Sequence, residues 1–193
     1  MNKIIIIVSA IFLISCGHKK YPHPHVVINT AYGEIEVEIF TDKASKTAAA
    51  FLMYVDSGYY KNSSFYRVLT NENVPAEYNS GLIQGGIYTT NNKQLQKIPG
   101  IIHEPAAQTG LLHTSGTISL ARTTPGTAST EFFICIGDQP QFNSGTSAAG
   151  DGLGFAAFGR VVNGMDIVRK IQNNPSGGES FNQEIKIANI ERL

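Results

Sequence analysis

Residues 116–137 have the sequence GTISLARTTPGTASTEFFICIG. Ile118 and Leu120 near the start, and the apolar run of residues 132–136 near the end, have the β-branched and aromatic content of strands buried in a sheet. Between these runs the segment is rich in threonine, and the pair Pro125 and Gly126 favours a tight reversal of the chain. The segment therefore predicts a strand, a long turn and a second strand.

Strand-like runs also flank this segment on both sides. Residues 26–30 and 33–40 show the pattern of a hairpin, and within the second run Ile35, Val37 and Ile39 alternate with glutamates. That alternation is typical of a strand with one face in water. Further strands are predicted at residues 65–69, 82–87, 117–122, 131–137, 155–162 and 184–191.

Two helices are predicted among these strands. The first is expected after an N-cap at Thr41 or Asp42, with apolar residues at helical spacing as far as Gly58. The second is expected over Met165–Gln172, before the helix-breaking Pro175. Eight strands and two helices that do not alternate argue against a doubly wound sheet. They favour a mainly β fold, a closed or nearly closed antiparallel barrel with helices over its ends.

The composition is that of a globular domain. Of the 193 residues, 42% are hydrophobic and 16% are charged, a balance that separates the chain from disordered proteins. The length suits one domain with a full-sized core, and the sequence contains no internal repeat. The formal net charge is zero, so no basic surface argues for binding to nucleic acid.

The first sixteen residues resemble the signal peptide of a bacterial lipoprotein. Lys3 gives a positive start, residues 4–14 are an apolar run too short to span a bilayer comfortably, and Cys16 lies where cleavage would fall. The resemblance implies that Cys16 becomes the lipidated first residue of the mature chain. The lipid would hold the domain in the cell envelope, at the periplasmic or cell-surface side of a bacterial membrane. The alternative is an ordinary secretory signal with an incidental cysteine. Residues 17–25, polar and with two prolines, are expected to form an extended tether before the domain of residues 26–193.

Two sequence blocks resemble the signature of the cyclophilin-type peptidyl-prolyl isomerases. In residues 116–137 a serine-hydrophobe-alanine strand leads through a loop into Phe-Phe-Ile. Upstream, Phe-Tyr-Arg-Val at residues 65–68 and Leu-Ile-Gln-Gly-Gly at residues 82–86 are similar to the family's arginine strand and its Gln-Gly-Gly strand. The resemblance extends over residues 26–193. It implies a closed eight-stranded antiparallel β-barrel capped by two α-helices.

The resemblance also implies an isomerase of X–Pro bonds that needs no cofactor, because the rotation breaks no covalent bond. The rotation is slow because resonance gives the C–N bond double-bond character, with a barrier of about 18–20 kcal/mol. A hydrogen-bond donor to the amide, together with an apolar pocket that clamps the ring, would bind the twisted state preferentially. The matching donor is Arg67, and Gln84 matches the glutamine that orients it and the peptide. Taken alone, Arg67 has the alternative of a strand-end arginine that faces water.

The remaining substrate-binding positions also follow from the resemblance. Those that would wrap the proline ring are Leu82, Phe133, Phe142 and Phe155, and those beside the peptide backbone are Ala121 and Arg122. For Phe155 a place in the core is an equal alternative. Phe132, which points away from Phe133 along the strand, is expected in the core.

Some positions depart from the family pattern. Glu131 stands where well-studied members carry glutamine, and we expect its carboxylate to help position the substrate and to be able to ion-pair with Arg67. Gly81 stands where a pocket phenylalanine is usual, which opens that wall unless another side chain fills it. The chain contains no tryptophan, and Gln141 falls nearest the family's tryptophan position.

The predicted function is isomerisation of X–Pro bonds in unfolded or extended extracytoplasmic polypeptides by a membrane-anchored monomer. One alternative is a catalytically weak peptide-binding or chaperone lipoprotein that uses the same groove, an option that Gly81 and Glu131 favour. A structural surface lipoprotein without a groove is a third class, and it requires that Arg67 and Phe133 lie far apart.

Other reactive side chains are expected to be structural. Cys135 lies in an apolar run and should be buried, and His113 should anchor a loop by hydrogen bonding rather than ionise. Residues 144–154 predict a surface loop rather than a phosphate-binding loop, because Asp151 stands where the latter needs lysine. A zinc protease is not supported, since His103 lacks a second histidine at helical spacing, and no metal site is predicted.

Overall fold

An antiparallel β-barrel forms the body of the computed structural model, which describes residues 21–71, 80–145 and 150–193. In chain order its strands are β1 (His25–Thr30), β2 (Gly33–Ile39), β3 (Ser63–Leu69), β4 (Gly81–Gly86), β5 (Thr117–Leu120), β6 (Phe132–Ile136), β7 (Ala156–Asn163), β8 (Ser176–Gly177) and β9 (Ser180–Arg192). Eight of them follow one another in the order β1, β2, β7, β5, β6, β4, β3, β9, and β1 pairs with β9 to close the barrel. The two-residue β8 pairs with the start of β9. The predicted closed eight-stranded antiparallel barrel is confirmed.

The two predicted helices pack against the barrel. Helix α1 (Ser45–Asp56) contacts β7 and β9. Two single-turn helices that the sequence patterns did not predict follow, α2 (Asn92–Leu95) and α3 (Ala106–Thr109), and a short 3-10 turn spans Pro140–Phe142. Helix α4 (Met165–Gln172) has the predicted bounds and contacts β2, β4 and β6.

Helix α1 starts later than its sequence signals predict. Its N-cap is Ala44 rather than Thr41 or Asp42, and the Ala44 side chain makes no capping hydrogen bond. The buried Glu104 carboxylate instead accepts hydrogen bonds from the backbone N–H and the hydroxyl of Thr47, both at 2.7 Å. A helix leaves the N–H groups of its first turn without partners inside the helix. A side chain from a distant loop therefore supplies the cap that was expected locally.

Alternation along β6 separates two apolar clusters on opposite faces of the barrel wall. Phe132, Ile134 and Ile136 are buried in the main core, where the Phe132 ring lies edge-on to three other aromatic rings. Phe133 and Cys135 belong to a second, smaller cluster on the outer face. The predicted core position of Phe132 and the predicted burial of Cys135 are confirmed.

The barrel begins one residue earlier than predicted. β1 starts at His25, which is buried, and His25 Nδ1 lies 2.7 Å from Glu36 Oε1 on the paired strand. The preceding carbonyl, of Pro24, accepts a hydrogen bond from the Ile39 N–H at 2.9 Å. The end of the predicted tether is therefore part of the sheet, because His25 has a side-chain partner in Glu36 and the Pro24 carbonyl is hydrogen-bonded to β2.

Other predictions concern residues outside the described ranges. The predicted signal peptide with Cys16, and residues 146–149 of the predicted surface loop, are among them. Within residues 21–71, 80–145 and 150–193, no helix combines the length and the apolar character needed to cross a bilayer.

Candidate active site

The nine site residues predicted within the barrel domain line one groove. It is an open concavity of about 780 Å³ on the outer face, where β3, β4 and β6 lie side by side. The nine are Arg67, Leu82, Gln84, Ala121, Arg122, Glu131, Phe133, Phe142 and Phe155. Because Arg67 and Phe133 share this groove, the requirement of a structural lipoprotein without a groove is not met.

Three phenylalanines form the apolar end of the groove, which we call the aromatic box. Phe133 comes from β6, Phe142 from the 3-10 turn and Phe155 from the residue before β7. Their ring centroids lie 5.4, 5.4 and 5.5 Å apart and their planes cross at 65–89°, the edge-to-face arrangement that aromatic rings favour. Leu82 is buried beside them. Phe155 therefore packs in the groove cluster and not in the main core.

Arg67 reaches the groove because β3 contains a bulge. Phe65 is fully buried in the core, so simple alternation would direct Arg67, two residues later, into the core as well. The register of β3 shifts between Phe65 and Arg67 in its pairing with both β4 and β9. A bulge re-aims the side chains that follow it. Tyr66 and Arg67 therefore both line the groove.

Strand pairing places three of the predicted residues in one row across the sheet. Arg67 pairs with Gln84 across β3 and β4, and Gln84 pairs with Phe133 across β4 and β6. Neighbouring strands lie about 4.8 Å apart, so the row joins the cationic and the aromatic parts of the groove over a short span. Arg67 Nη1 donates to Gln84 Oε1 at 2.9 Å.

A chain of hydrogen bonds continues from Gln84 to the buried end of the groove. Gln84 Nε2 donates to the Tyr66 hydroxyl at 2.8 Å, and this hydroxyl donates to Glu131 Oε2 at 2.8 Å. Burial, and after it the charge of Glu131, raises the pKa of Tyr66 far above its ordinary value of 10.0. The Tyr66 hydroxyl therefore keeps its proton and acts as a fixed link between Gln84 and Glu131.

The expected ion pair between Glu131 and Arg67 is wrong. Glu131 Oε1 accepts hydrogen bonds from the backbone N–H groups of Ile87 and Tyr88, at 2.8 and 3.1 Å, and from the Thr130 hydroxyl at 3.0 Å. With Tyr66 on Oε2, both oxygens are occupied at the start of β6. The carboxylate lies in the groove as predicted, but its partners are neutral.

Arg67 is paired instead with Glu179, which no local sequence signal identified. Arg67 Nε and Nη2 both donate to Glu179 Oε2, at 2.9 and 2.6 Å. The side chains of Arg67 and Glu179 are 36% and 61% exposed. Glu179 is far from Arg67 in sequence, and only the pairing of β3 with β9 brings them together.

Arg122 lines the groove but its guanidinium is already engaged. It forms a bidentate ion pair with Asp151, at 2.6 and 2.9 Å, and donates to the Gly154 carbonyl. Its side chain is 1% exposed and its Cζ lies 5.4 Å from the centroid of the Phe155 ring. The hydrogen bonds from Arg122 lower the pKa of Asp151 to about 2. Arg122 thus braces the loop that leads into the aromatic box.

Gly81 has a steric reason to lack a side chain. Its φ is +139°, and a Cβ at this position would lie 2.1 Å from the carbonyl oxygen of Leu69. A phenylalanine would therefore require a different backbone where β3 and β4 meet. Leu69 packs against the apolar cluster of Leu82 and Phe133 on this side of the groove.

Behind the aromatic box, His113 is buried and hydrogen-bonded as predicted. Its Nδ1 lies 2.9 Å from Asn143 Oδ1 and its Nε2 lies 3.0 Å from Ser119 Oγ, while its ring stacks on Phe133. Burial lowers the pKa of His113. Burial also raises the pKa of the Cys135 thiol, which suits an inert side chain. In the described ranges no group of three or more His, Cys, Asp and Glu residues is placed to hold a metal ion.

Comparison with known proteins identifies the family of the chain. The family model described as "Cyclophilin type peptidyl-prolyl cis-trans isomerase/CLD" matches residues 25–192. Peptidyl-prolyl cis-trans isomerase B of Escherichia coli is 36% identical over 162 residues, which cover 83% of this chain and 91% of that protein. A peptidyl-prolyl cis-trans isomerase of Acinetobacter baylyi is 35% identical over 161 residues, covering 83% and 78% of the two chains.

A solved structure extends the comparison to the fold. The crystal structure of a cyclophilin type peptidyl-prolyl cis-trans isomerase of Cryptosporidium parvum superposes with a TM-score of 0.68 at 25% identity, and the match covers 88% of this chain and 97% of that one. The same protein, in the presence of the dipeptide Ala-Pro, gives a TM-score of 0.67. The chain belongs to the cyclophilin-type family of peptidyl-prolyl cis-trans isomerases, and it is an enzyme of that class.

Proposed function

We propose that the enzyme accelerates X–Pro rotation by binding the twisted amide between Arg67 and the aromatic box. The observation that carries this proposal is the row of Arg67, Gln84 and Phe133 across three neighbouring strands. The row puts a permanently charged donor beside an apolar pocket. Catalysis of this kind needs tighter binding of the twisted state than of either planar isomer, and no covalent intermediate.

The chemistry follows from what rotation does to the amide. As the C–N bond twists, conjugation is lost and the proline nitrogen recovers a lone pair that can accept a hydrogen bond. The Arg67 guanidinium is a fixed donor for that lone pair, and it is already oriented before substrate binds, so little reorganisation is needed. Phe133, Phe142 and Leu82 would hold the pyrrolidine ring while the remainder of the peptide turns.

Peptides that contain proline are the proposed substrates. The Cryptosporidium parvum relative was solved in the presence of Ala-Pro, and its fold matches that of this chain. Unfolded or extended chains suit an open groove, since they can lay an exposed X–Pro segment across it. Uncatalysed X–Pro isomerisation takes tens to hundreds of seconds, long enough to limit the folding of such chains.

We infer further that the enzyme is a monomer, is lipidated at Cys16 and acts in the cell envelope on extracytoplasmic polypeptides. The charged start, apolar run and cysteine of residues 1–16 support export and lipidation. The polar stretch of residues 17–20 leads from Cys16 towards the first described residue.

Exchange of Arg67 for alanine tests the mechanism. In an assay limited by X–Pro isomerisation, Arg67→Ala should lower kcat/KM about tenfold or more, equivalent to about 1.4 kcal/mol of lost transition-state binding. Arg160→Ala is the matched control, because Arg160 lies outside the groove and pairs with Glu38. It should keep the wild-type rate. A folded Arg67→Ala variant with unchanged kcat/KM would remove Arg67 from the mechanism.

A catalytically weak peptide binder that uses the same groove is the alternative. Gly81 still leaves its position without a side chain, whereas the Glu131 carboxylate accepts hydrogen bonds from Tyr66 and Ile87 and does not pair with Arg67. NMR exchange spectroscopy of an Ala-Pro peptide separates the two functions. Exchange between the cis and trans signals should speed up with catalytic amounts of enzyme, whereas a binder would shift the signals without faster exchange.

A further inference from the structure

The Arg67 guanidinium, whose N–H groups point outwards like a fork, is hydrogen-bonded on two sides. Glu179 Oε2 accepts hydrogen bonds from Nε and Nη2, and Gln84 Oε1 accepts one from Nη1. A guanidinium has five N–H groups. Three of the five are used in these contacts, and two remain on the terminal nitrogens for a substrate. The ion pair therefore occupies one edge of the fork and leaves donors at its tip.

The backbone of Glu179 is fixed beside Arg67. Glu179 and Gly178 form the two-residue turn between β8 and β9, with Gly178 at a φ of 59°. The Glu179 carbonyl accepts a hydrogen bond from the Val68 N–H at 2.9 Å, and the next residue, Ser180, pairs with Arg67. A two-residue hairpin turn with a left-handed first residue sets the direction of both strands tightly. The turn thus delivers the Glu179 carboxylate to the edge of the groove.

We propose that Glu179 is a positioning residue for the isomerase reaction, holding the Arg67 fork where its free donors face the amide of the substrate. This inference rests on the proposed role of Arg67. A partly exposed arginine without such a partner would sample many rotamers, and in most of them its N–H donors would point away from the groove. Because Glu179 holds the Arg67 guanidinium before substrate binds, the side chain need not be ordered during the catalytic step.

If the Glu179 carboxylate instead masked Arg67, its removal would change the rate in the opposite direction. Masking would make removal of Glu179 raise the rate, whereas positioning makes removal lower it. The geometry favours positioning, because both contacts from Glu179 lie on the Nε–Nη2 edge and the guanidinium stays charged. The carboxylate is also largely exposed, so water and salt screen its charge.

The test compares Glu179→Ala and Glu179→Gln with the wild-type protein. Glu179→Ala should lower kcat/KM about threefold to fivefold, the range that corresponds to an exposed ion pair, and mainly through kcat. Glu179→Gln keeps one oxygen acceptor and should lose less. The NMR signal of Arg67 Nε–H should exchange faster with water in Glu179→Ala, a change that a loss of overall stability alone would not confine to this group. Glu191→Gln is the matched control, because Glu191 is exposed on β9, away from the groove, and hydrogen-bonded to Asn29, and this variant should keep the wild-type rate.

A double-mutant cycle separates this inference from the proposed function. With Arg67 already replaced by alanine, Glu179→Ala should have no further effect on kcat/KM. If Arg67→Ala lowers the rate and Glu179→Ala leaves it unchanged or raises it, the positioning role is wrong while the proposed mechanism stands. If Arg67→Ala leaves the rate unchanged, both are wrong.

Discussion

The Glu131 carboxylate accepts hydrogen bonds from four donors in a half-buried site. The hydrogen bonds favour its ionised form and burial favours its neutral form. Burial has the larger effect, so the pKa of Glu131 lies above its ordinary value of 4.5. The folded protein therefore binds this proton more tightly than the unfolded chain does.

This difference predicts a pH dependence of stability. Below pH 4.5 both states carry the proton. As the pH rises from there through the raised pKa, the unfolded state ionises first, so the free energy of unfolding falls. Glu131→Gln keeps an oxygen acceptor but has no proton to release, so this part of the fall should be absent. Urea unfolding at a series of pH values between acidic and neutral measures it.

The control for this prediction is Glu34→Gln, which removes the same charge at an exposed position of β2. It should leave the fall in place. If the free energy of unfolding changed with pH in parallel for the wild-type protein and Glu131→Gln, burial would not raise the pKa of Glu131.

At the scale of the secondary-structure elements, periodic sequence patterns predicted the features that depend on regular helix and strand geometry. Alternation predicted that Phe132 and Phe133 would face opposite sides of β6, and helical spacing predicted the bounds of α4. The bulge beside Tyr66 could not be predicted, since it depends on how two neighbouring strands pair with β3. The site followed the same division. The resemblance supplied the residues of the groove, whereas the partner of Arg67 came from a turn that is remote in sequence.

The start of α1 provides a prediction at the scale of this helix. Glu104 is 2% exposed and receives two hydrogen bonds from Thr47, so Glu104→Ala would leave buried donors without an acceptor. We expect the free energy of unfolding to fall by about 1.5–3 kcal/mol, the range for hydrogen bonds to a charged group. Chemical denaturation measures this loss.

Asp42→Ala is the natural comparison, because Asp42 is the residue that local signals suggest as the cap. It lies outside the helix and is exposed. Its replacement should change stability little. A larger loss for Asp42→Ala than for Glu104→Ala would show that the local cap matters more than the tertiary one.

For the whole molecule, the proposed lipid anchor gives a test in cells. Cys16→Ala removes the acceptor for the lipid, so the protein should move from the membrane fraction to the soluble fraction and lose labelling by radioactive fatty acid. Cys135→Ala is the control, because Cys135 is buried in the barrel, and this variant should stay labelled and membrane-bound. Equal labelling of the Cys16→Ala and wild-type proteins would contradict lipidation at Cys16.

The long strand β9 determines how an anchored molecule would face its surroundings. Ser180, at one end of β9, pairs with Arg67, and Arg192, near the other end, pairs with Val26 beside the point where the leading segment joins the barrel. Ser180 lies opposite Arg67 and Ile187 opposite Ser63, so this part of β9 covers only four strand steps of β3, and five further steps lead to Arg192. At about 3.3 Å a step, the two ends are roughly 30 Å apart along the sheet. The proposed anchor before His25 would therefore present Arg67, the proposed catalytic residue, at the end remote from the lipid, towards polypeptides arriving from the aqueous side.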